Sequence, residues 1–176
     1  MPLPEAQGLS VLAVAGLCIL AILLLVLLSK TFRYIPNNRV GIVEKLVSGR
    51  GSVRSGLIAL GGEAGFQPEV LRGGWHLFMP FMYRIHKVPL VTIPQGKIGY
   101  VFARDGQDLP PTQALAGNVK ASNFQDVRAF LANGGQKGPQ RMILREGTYA
   151  INLAQFVVLT EDTMYYLPLD RSELET

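Results

Sequence analysis

The chain has 176 residues, which is enough for one domain, or for one domain and an anchor. Its one cysteine excludes an intrachain disulfide framework and agrees with a reducing compartment. The formal net charge of +4 is modest, and six of the seventeen Lys and Arg residues follow one apolar segment closely, so the charge does not indicate a nucleic-acid partner.

Residues 9–28 form an apolar run without a charge, in which Ser10 is the only polar residue. A helix of about twenty residues spans about 30 Å, the thickness of a hydrocarbon core. We therefore predict a transmembrane anchor over residues 9–29, preceded by a short stub over residues 1–8. A cleaved signal peptide fits less well, because no Lys or Arg precedes the run and no A-x-A pattern follows it.

Positive charge is concentrated just after the run, opposed only by Glu44. The residues are Lys30, Arg33, Arg39, Lys45, Arg50 and Arg54. The positive-inside rule then places the body in the cytoplasm and the stub outside. Each cation near anionic lipid gains about 1 kcal/mol. Lys30, Arg33 and Arg39 are our predicted headgroup contacts.

A proline-led pattern occurs twice in the body, at residues 35–43 and again 58 residues later at 93–101. Pro36 ends the helical region, because its ring blocks helix continuation. Both copies are typical of a turn that leads into a strand. Asn38 and Gly96 occupy the position where a positive φ is most often needed.

The stretch from residue 48 to residue 74 is rich in glycine but lacks the phosphate-binding patterns G-x-G-x-x-G and Walker A. It predicts turns between short strands, with one strand over residues 57–60. Residues 75–93 favour one or two strands, interrupted at Pro80 and Pro89.

A dense apolar patch begins at the only tryptophan of the chain. It consists of Trp75, Phe78, Met79, Phe81 and Met82. These side chains either form core or contact lipid at the membrane interface, where aromatic residues are favoured.

Helical periodicity follows the second copy of the pattern. Ser122 or Asn123 is expected to cap a helix that ends at Ala132. Pro139 is expected to open a second helix. The predicted buried residues of that second helix region are Ile143, Leu144, Ile151 and Leu153. Strands at residues 156–159 and 164–167 complete an α+β body.

Catalytic signals are weak. His76 and His86 lack the H-E-x-x-H or C-x-x-C spacing of a zinc site, and no G-x-S-x-G elbow is present. We expect no enzyme activity, no metal and no cofactor. A membrane-tethered hydrolase using one of these histidines is the weakest alternative.

Three segments resemble the SPFH (band 7, prohibitin–flotillin) family, in its bacterial flotillin-like inner-membrane branch. They are residues 34–45, residues 62–76 (G-E-A-G-F-Q-P-E-V-L-R-G-G-W-H) and residues 87–99. The long G-E-A-G-F-Q-P-E-V-L-R-G-G run is the specific one. The resemblance implies an SPFH-like domain over residues 30–170, with short antiparallel strands and two or more short helices. An acidic tail follows at residues 171–176.

The resemblance also implies a function. Family members are non-catalytic membrane proteins that form homo-oligomers, organise membrane microdomains and often act beside a small membrane protein of the NfeD type. They continue into a long coiled coil, whereas this sequence stops at Thr176 without sustained heptads, as an N-terminal portion would. Trp75, Phe78, Phe81 and Met82 are the predicted membrane or subunit contacts. A membrane-tethered adaptor that binds one membrane partner through this patch is the alternative.

Overall fold

The structure is a computed structural model that describes the backbone of residues 4–163 and the side chains of residues 13–163. Within that part, one long helix precedes a body of short strands. The helices are α1 (Pro4–Thr31), α2 (Val127–Ala132) and a 3-10 turn at Glu161–Thr163. The strands are β1 (Phe32–Ile35), β2 (Arg39–Lys45), β3 (Gly65–Leu71), β4 (Gly74–Leu77), β5 (Tyr83–Pro89), β6 (Val91–Ile93), β7 (Tyr100–Ala103), β8 (Gly138–Pro139), β9 (Gly147–Tyr149) and β10 (Phe156–Leu159).

Helix α1 contains the predicted apolar run and extends beyond it at both ends. Its segment Ala13–Thr31 is long and apolar enough to cross a membrane, and none of that segment is buried against the body. A helix of this kind near an N-terminus is either a membrane span or a signal sequence. The helix ends at Thr31, before an aromatic and β-branched run that forms strand β1.

All pairs between the named strands are antiparallel. Strand β2 lies between β3 and β5, and strand β7 lies between β8 and β10. Strand β1 pairs with β4, and β6 pairs with β9, as two separate ribbons. The α+β prediction is therefore confirmed. In the part of the body that the structure describes there are few helices, namely one short α-helix and one 3-10 turn, and the second predicted helix is not among them.

The body consists of two units with the same topology. The first unit contains β1 to β5, and the second contains β6 to β10. Each pairing of the first unit recurs in the second with the strand number raised by five. The register recurs as well: Val43 faces Ile85 in the first unit, and Val101 faces Val158 in the second. The two units are thus an internal duplication at the level of single residues.

The predicted sequence pattern begins at the last residue of the first strand of each unit. Ile35 and Ile93 are buried and precede equivalent turns. The backbone N–H of Arg39 donates to the carbonyl of Pro36 at 3.0 Å, and Lys97 donates to Pro94 at 3.1 Å. Gly96 adopts the predicted positive φ, at 76°. The same prediction for Asn38 is wrong, because its φ is not positive and the first turn closes without it.

The glycine of the pattern leaves room for the isoleucine. A Cβ on Gly41 would lie 2.6 Å from the Cδ1 of Ile35, and a Cβ on Gly99 would lie 2.6 Å from the Cδ1 of Ile93. Real Cβ atoms do not approach carbon this closely, so any side chain here would displace the buried isoleucine. The repeated pattern, I-P-x-x-x-V-G in the first copy and I-P-x-x-x-I-G in the second, therefore encodes a packing contact as well as a turn.

A second repeat, with a spacing of 73 residues, covers the later half of each unit. Gln67 Nε2 donates to the carbonyls of Glu63 and Gly65, at 3.2 and 3.1 Å. Gln140 Nε2 donates to the equivalent carbonyls of Gln136 and Gly138, at 2.8 and 2.9 Å. Because this spacing exceeds 58, the second unit contains extra residues between β7 and β8, and these include α2.

Helix α2 begins later than predicted. Residues 122–124 adopt positive φ values of 48°, 55° and 63°, so neither Ser122 nor Asn123 caps a right-handed helix. The N-cap is Asp126, whose carboxylate accepts from the backbone N–H of Ala129 at 2.8 Å. The predicted end at Ala132 is confirmed.

Two further secondary-structure predictions are wrong. No helix opens at Pro139, which ends β8; Gly147, with a φ of 143°, begins β9. Residues 57–60 form one isolated bridge at Ile58 rather than a strand, although Ile58 is buried. The strand predicted at residues 164–167 and the tail at 171–176 lie outside the described residues.

The core lies mainly in the second unit and is closed by α2. Of the four residues predicted to be buried after Pro139, Leu144 and Ile151 are buried, Leu153 is half-buried and Ile143 is exposed. Phe124, Phe130 and Phe156 form an aromatic cluster at its centre, with ring centroids 5.0 to 6.2 Å apart. Such edge-on contacts stabilise a core beyond area burial alone.

Candidate membrane-contact surface

The two-stranded ribbon of β1 and β4 presents an apolar face to solvent. Phe32 pairs with Leu77, and Tyr34 pairs with Trp75. Because side chains alternate along a strand, all four lie on one face. Their exposed fractions are 50% for Phe32, 46% for Tyr34, 72% for Trp75 and 68% for Leu77. We call these four residues the ribbon face.

The loop after β4 extends this surface. Met79 is 61% exposed and Phe81 is 79% exposed. Phe81 adopts a φ of 68°, a conformation rare for an aromatic residue. We call Met79 and Phe81 the loop tip. A contiguous exposed apolar area of this kind marks an interaction surface.

The surface is attached directly to the end of the apolar helix. Strand β1 begins at Phe32, the residue after the last of α1. The backbone N–H of Phe78 donates to the carbonyl of Thr31 at 2.9 Å. This bond satisfies one of the carbonyls left free at a helix C-terminus. It also holds the segment between the ribbon and the loop tip against the helix end.

The opposite face of the ribbon packs on the first unit. Ile35 is fully buried there. His76 lies half-buried, with its Nε2 2.7 Å from the carbonyl oxygen of Arg72. Phe78 stacks edge-on against Tyr83, with centroids 5.3 Å apart. The ribbon is thus two-sided, with one face structural and the other uncovered.

The structure divides the four predicted contact residues. Trp75 and Phe81 are exposed, whereas Phe78 and Met82 are half-buried. The core alternative therefore fits Phe78 and Met82 only. The ribbon and its loop hold Trp75 and Phe81 in exposed positions, so both side chains are available to contact a partner surface.

The three predicted headgroup residues lie at the start of the body. Lys30 is in the last turn of α1, Arg33 is half-buried on β1, and Arg39 is exposed at the first position of β2. Within residues 13–163, no carboxylate lies within 4 Å of any of the three. Their charges are therefore not neutralised by ion pairs in the described part of the chain.

Phe32, Tyr34 and Leu77 were not predicted as contact residues. The signal was present, because apolar residues at positions i and i+2 in both segments are typical of a half-exposed strand. For Phe32 and Tyr34 the prediction of a helical region up to Pro36 hides this signal. The structure ends the helix at Thr31 instead.

The histidines serve local structure. His86 Nε2 lies 2.8 Å from Glu44 Oε2 on the sheet of the first unit, and Arg84 lies 3.7 Å from the same oxygen. In the described part of the chain, no group of three or more His, Cys, Asp or Glu residues is placed to hold a metal ion.

The glycine-rich loop at residues 134–138 also has its charged side chain paired within the protein. Its lysine, Lys137, forms an ion pair with the carboxylate of Asp108. This hydrogen bond and charge raise the pKa of Lys137 above its ordinary value. The loop is also the counterpart of residues 61–65 in the first unit, which indicates a structural role.

Comparison with known proteins finds no match among family models, curated proteins or solved structures. The features that bear on function are the ribbon face, the loop tip and their attachment to α1.

Proposed function

We propose that this chain is a membrane-anchored, non-catalytic scaffold subunit that self-associates and organises membrane microdomains. The observation behind it is the uncovered ribbon face, which is continuous with the end of an apolar helix. In this account α1 spans the bilayer, and the ribbon face and loop tip lie in the interfacial layer beside it.

The chemistry of the surface suits a lipid interface. Tyr and Trp combine an apolar ring with a polar atom and are enriched where membrane meets water. Tyr34 and Trp75 form a ring pair with centroids 5.2 Å apart on the ribbon face. Lys30, at the last turn of the helix, and Arg33, on the first strand, supply positive charge at the same level.

The flanking charges support one orientation. The cations that follow α1 favour, by the positive-inside rule, a body in the cytoplasm and an N-terminus outside. Together with the resemblance to flotillin-like proteins, this orientation supports a single-pass protein of the bacterial inner membrane. The other reading of α1, a cleaved signal sequence, would release the body with its apolar face uncovered.

The family assignment is part of the proposal. Of the three segments that resemble SPFH proteins, two contain the equivalent turns of the two units, and the third lies between them in the chain. Residues 34–45 form the first turn and β2, residues 62–76 contain β3 and begin β4, and residues 87–99 lead through β6 to the second turn. An SPFH-like body would share this antiparallel α+β architecture.

Self-association has a geometric basis in the first unit. Strand β5 is an outer strand of its three-stranded sheet, and outer strands offer unpaired backbone groups to a neighbouring chain. In a homo-oligomer, the same contact between neighbouring copies of the chain would recur in the plane of the membrane. A small membrane partner of the NfeD type belongs to the same proposal.

The test is the mass of the detergent-solubilised chain by light scattering, corrected for bound detergent. A large and defined oligomer supports the scaffold. A monomer that copurifies with one stoichiometric membrane partner would instead establish the adaptor, and a monomer alone would contradict self-association by this chain.

A further inference from the structure

A comparison of the two units shows which face of the first unit is not closed by other side chains. In the second unit, the inserted segment before β8 places Phe124 and Phe130 against Phe156, with centroids 5.2 and 5.0 Å away. Val101 and Leu144 are buried in the same cluster. The insertion thus closes the inner face of that unit with aromatic side chains.

The first unit has the same inner face without the insertion. By register and spacing, the counterparts of Val101, Leu144 and Phe156 are Val43, Leu71 and Tyr83. Leu71 and Tyr83 are half-exposed, although their counterparts are buried.

A cavity of about 330 Å³ lies over these first-unit residues. Its wall also includes Gln67, Leu77, Phe78 and Met79. The cavity therefore occupies the place that aromatic side chains fill in the second unit.

The wall of the cavity is suited to hydrocarbon rather than to an anionic group. No Lys, Arg or His lies among its described lining residues. Its one carboxylate, Glu69, is held by Arg128 through contacts of 2.7 and 2.8 Å. A pocket of this size is at the small end of the range for organic ligands. A single apolar chain fits both its volume and its wall.

The cavity is continuous with the proposed membrane surface. Leu77 belongs to the ribbon face and also lines the cavity, and Met79 belongs to the loop tip and lines it too. Phe78, between them, is hydrogen-bonded to the last residue of α1. We propose that this cavity binds one hydrocarbon chain of a membrane lipid, drawn from the bilayer beside the helix. This inference rests on the proposed membrane contact of the ribbon face.

Photolabelling of the full-length chain in vesicles tests the inference. The vesicles contain phosphatidylcholine with a trace of the same lipid carrying a diazirine midway along one acyl chain. After illumination, peptide mass spectrometry maps the adducts. We expect adducts on Leu71 and Tyr83 inside the cavity, in addition to Trp75 on the ribbon face.

Two variants sharpen the test. Leu71→Trp fills the cavity and should abolish the adduct on Tyr83 while leaving the adduct on Trp75. Leu60→Trp makes the same change at an exposed position outside the cavity and should leave both adducts in place.

The outcomes separate this inference from the proposed function. Adducts on Trp75 without adducts on Leu71 or Tyr83, in the unaltered chain, would overturn the cavity proposal and leave the membrane contact standing. Adducts on none of the three would overturn both. A Tyr83 adduct that persists in Leu71→Trp would also overturn the cavity proposal.

Discussion

Replacing Trp75 and Phe81 together by Ser should weaken membrane binding of the body without unfolding it. Both side chains are mostly exposed, at 72% and 79%, so the change removes little packing from the folded chain. At about 200 Å² for each aromatic side chain, the pair exposes roughly 300 Å² of apolar surface. Complete removal of that area from water would be worth about 7.5 kcal/mol at about 25 cal/mol per Å².

Interfacial contact withdraws only part of this surface. If about a third is withdrawn, the double variant loses about 2.5 kcal/mol, or roughly 70-fold in the partition constant. The assay is sedimentation with anionic liposomes, using a chain that begins at Thr31 so that the helix does not hold it on the membrane. Tyr100→Ser with Phe102→Ser is the matched control, because it removes two exposed aromatic residues from the second unit. Equal partitioning of the test variant and the unaltered chain, or an equal loss in the control, would refute the reasoning.

Three packing predictions concern the free energy of unfolding, measured by chemical denaturation of the same chain. Gly41→Ala should cost about 1–3 kcal/mol, because the new Cβ would meet the buried side chain of Ile35. The control Gly49→Ala has open space around its Cβ and should change the free energy of unfolding little. Phe130→Ala should cost about 3–5 kcal/mol, since the ring is fully buried between two other rings; a loss below about 1 kcal/mol would contradict the closing role of α2. Asp105→Ala should cost about 1–3 kcal/mol, because its carboxylate accepts hydrogen bonds from two backbone N–H groups of the loop before β3, at 2.7 and 3.2 Å. The control Asp108→Ala, at the surface, should leave the denaturation midpoint unchanged.

The duplication shows how far the sequence alone could lead. The pattern I-P-x-x-x-[V/I]-G is visible in the sequence, and it correctly locates two turns and the strands after them. The second pattern, with a spacing of 73 residues, is harder to detect from the sequence, although Gln67 and Gln140 and several glycines are shared. An insertion changes the spacing inside the second unit, so a search at one fixed period finds only the first half.

The wrong helix predictions have a related cause. Apolar spacing after Pro139 matched a helix, but Gly138 and Gly147 adopt positive φ and the chain passes through two short strands. Residues 122–124 adopt the left-handed region, and Phe124 is buried in the core cluster. Local periodicity cannot report such packing.

The candidate surface was only partly predictable. The density of aromatic residues predicts a patch at residues 75–82, but it does not predict which of these side chains are exposed. That division depends on the pairing of β1 with β4, which joins segments about forty residues apart in the chain. A long-range register of this kind is fixed by the fold and not by local composition.

Fluorescence of Trp75 tests the central claim most directly, because it is the only tryptophan in the chain. The full-length protein is reconstituted in vesicles whose lipids are brominated along their acyl chains, and its emission is compared with that in unbrominated vesicles. If the ribbon face contacts the membrane, bromine quenches the emission, most strongly when it lies near the headgroups. Equal emission in both kinds of vesicle would place Trp75 away from lipid and contradict the account.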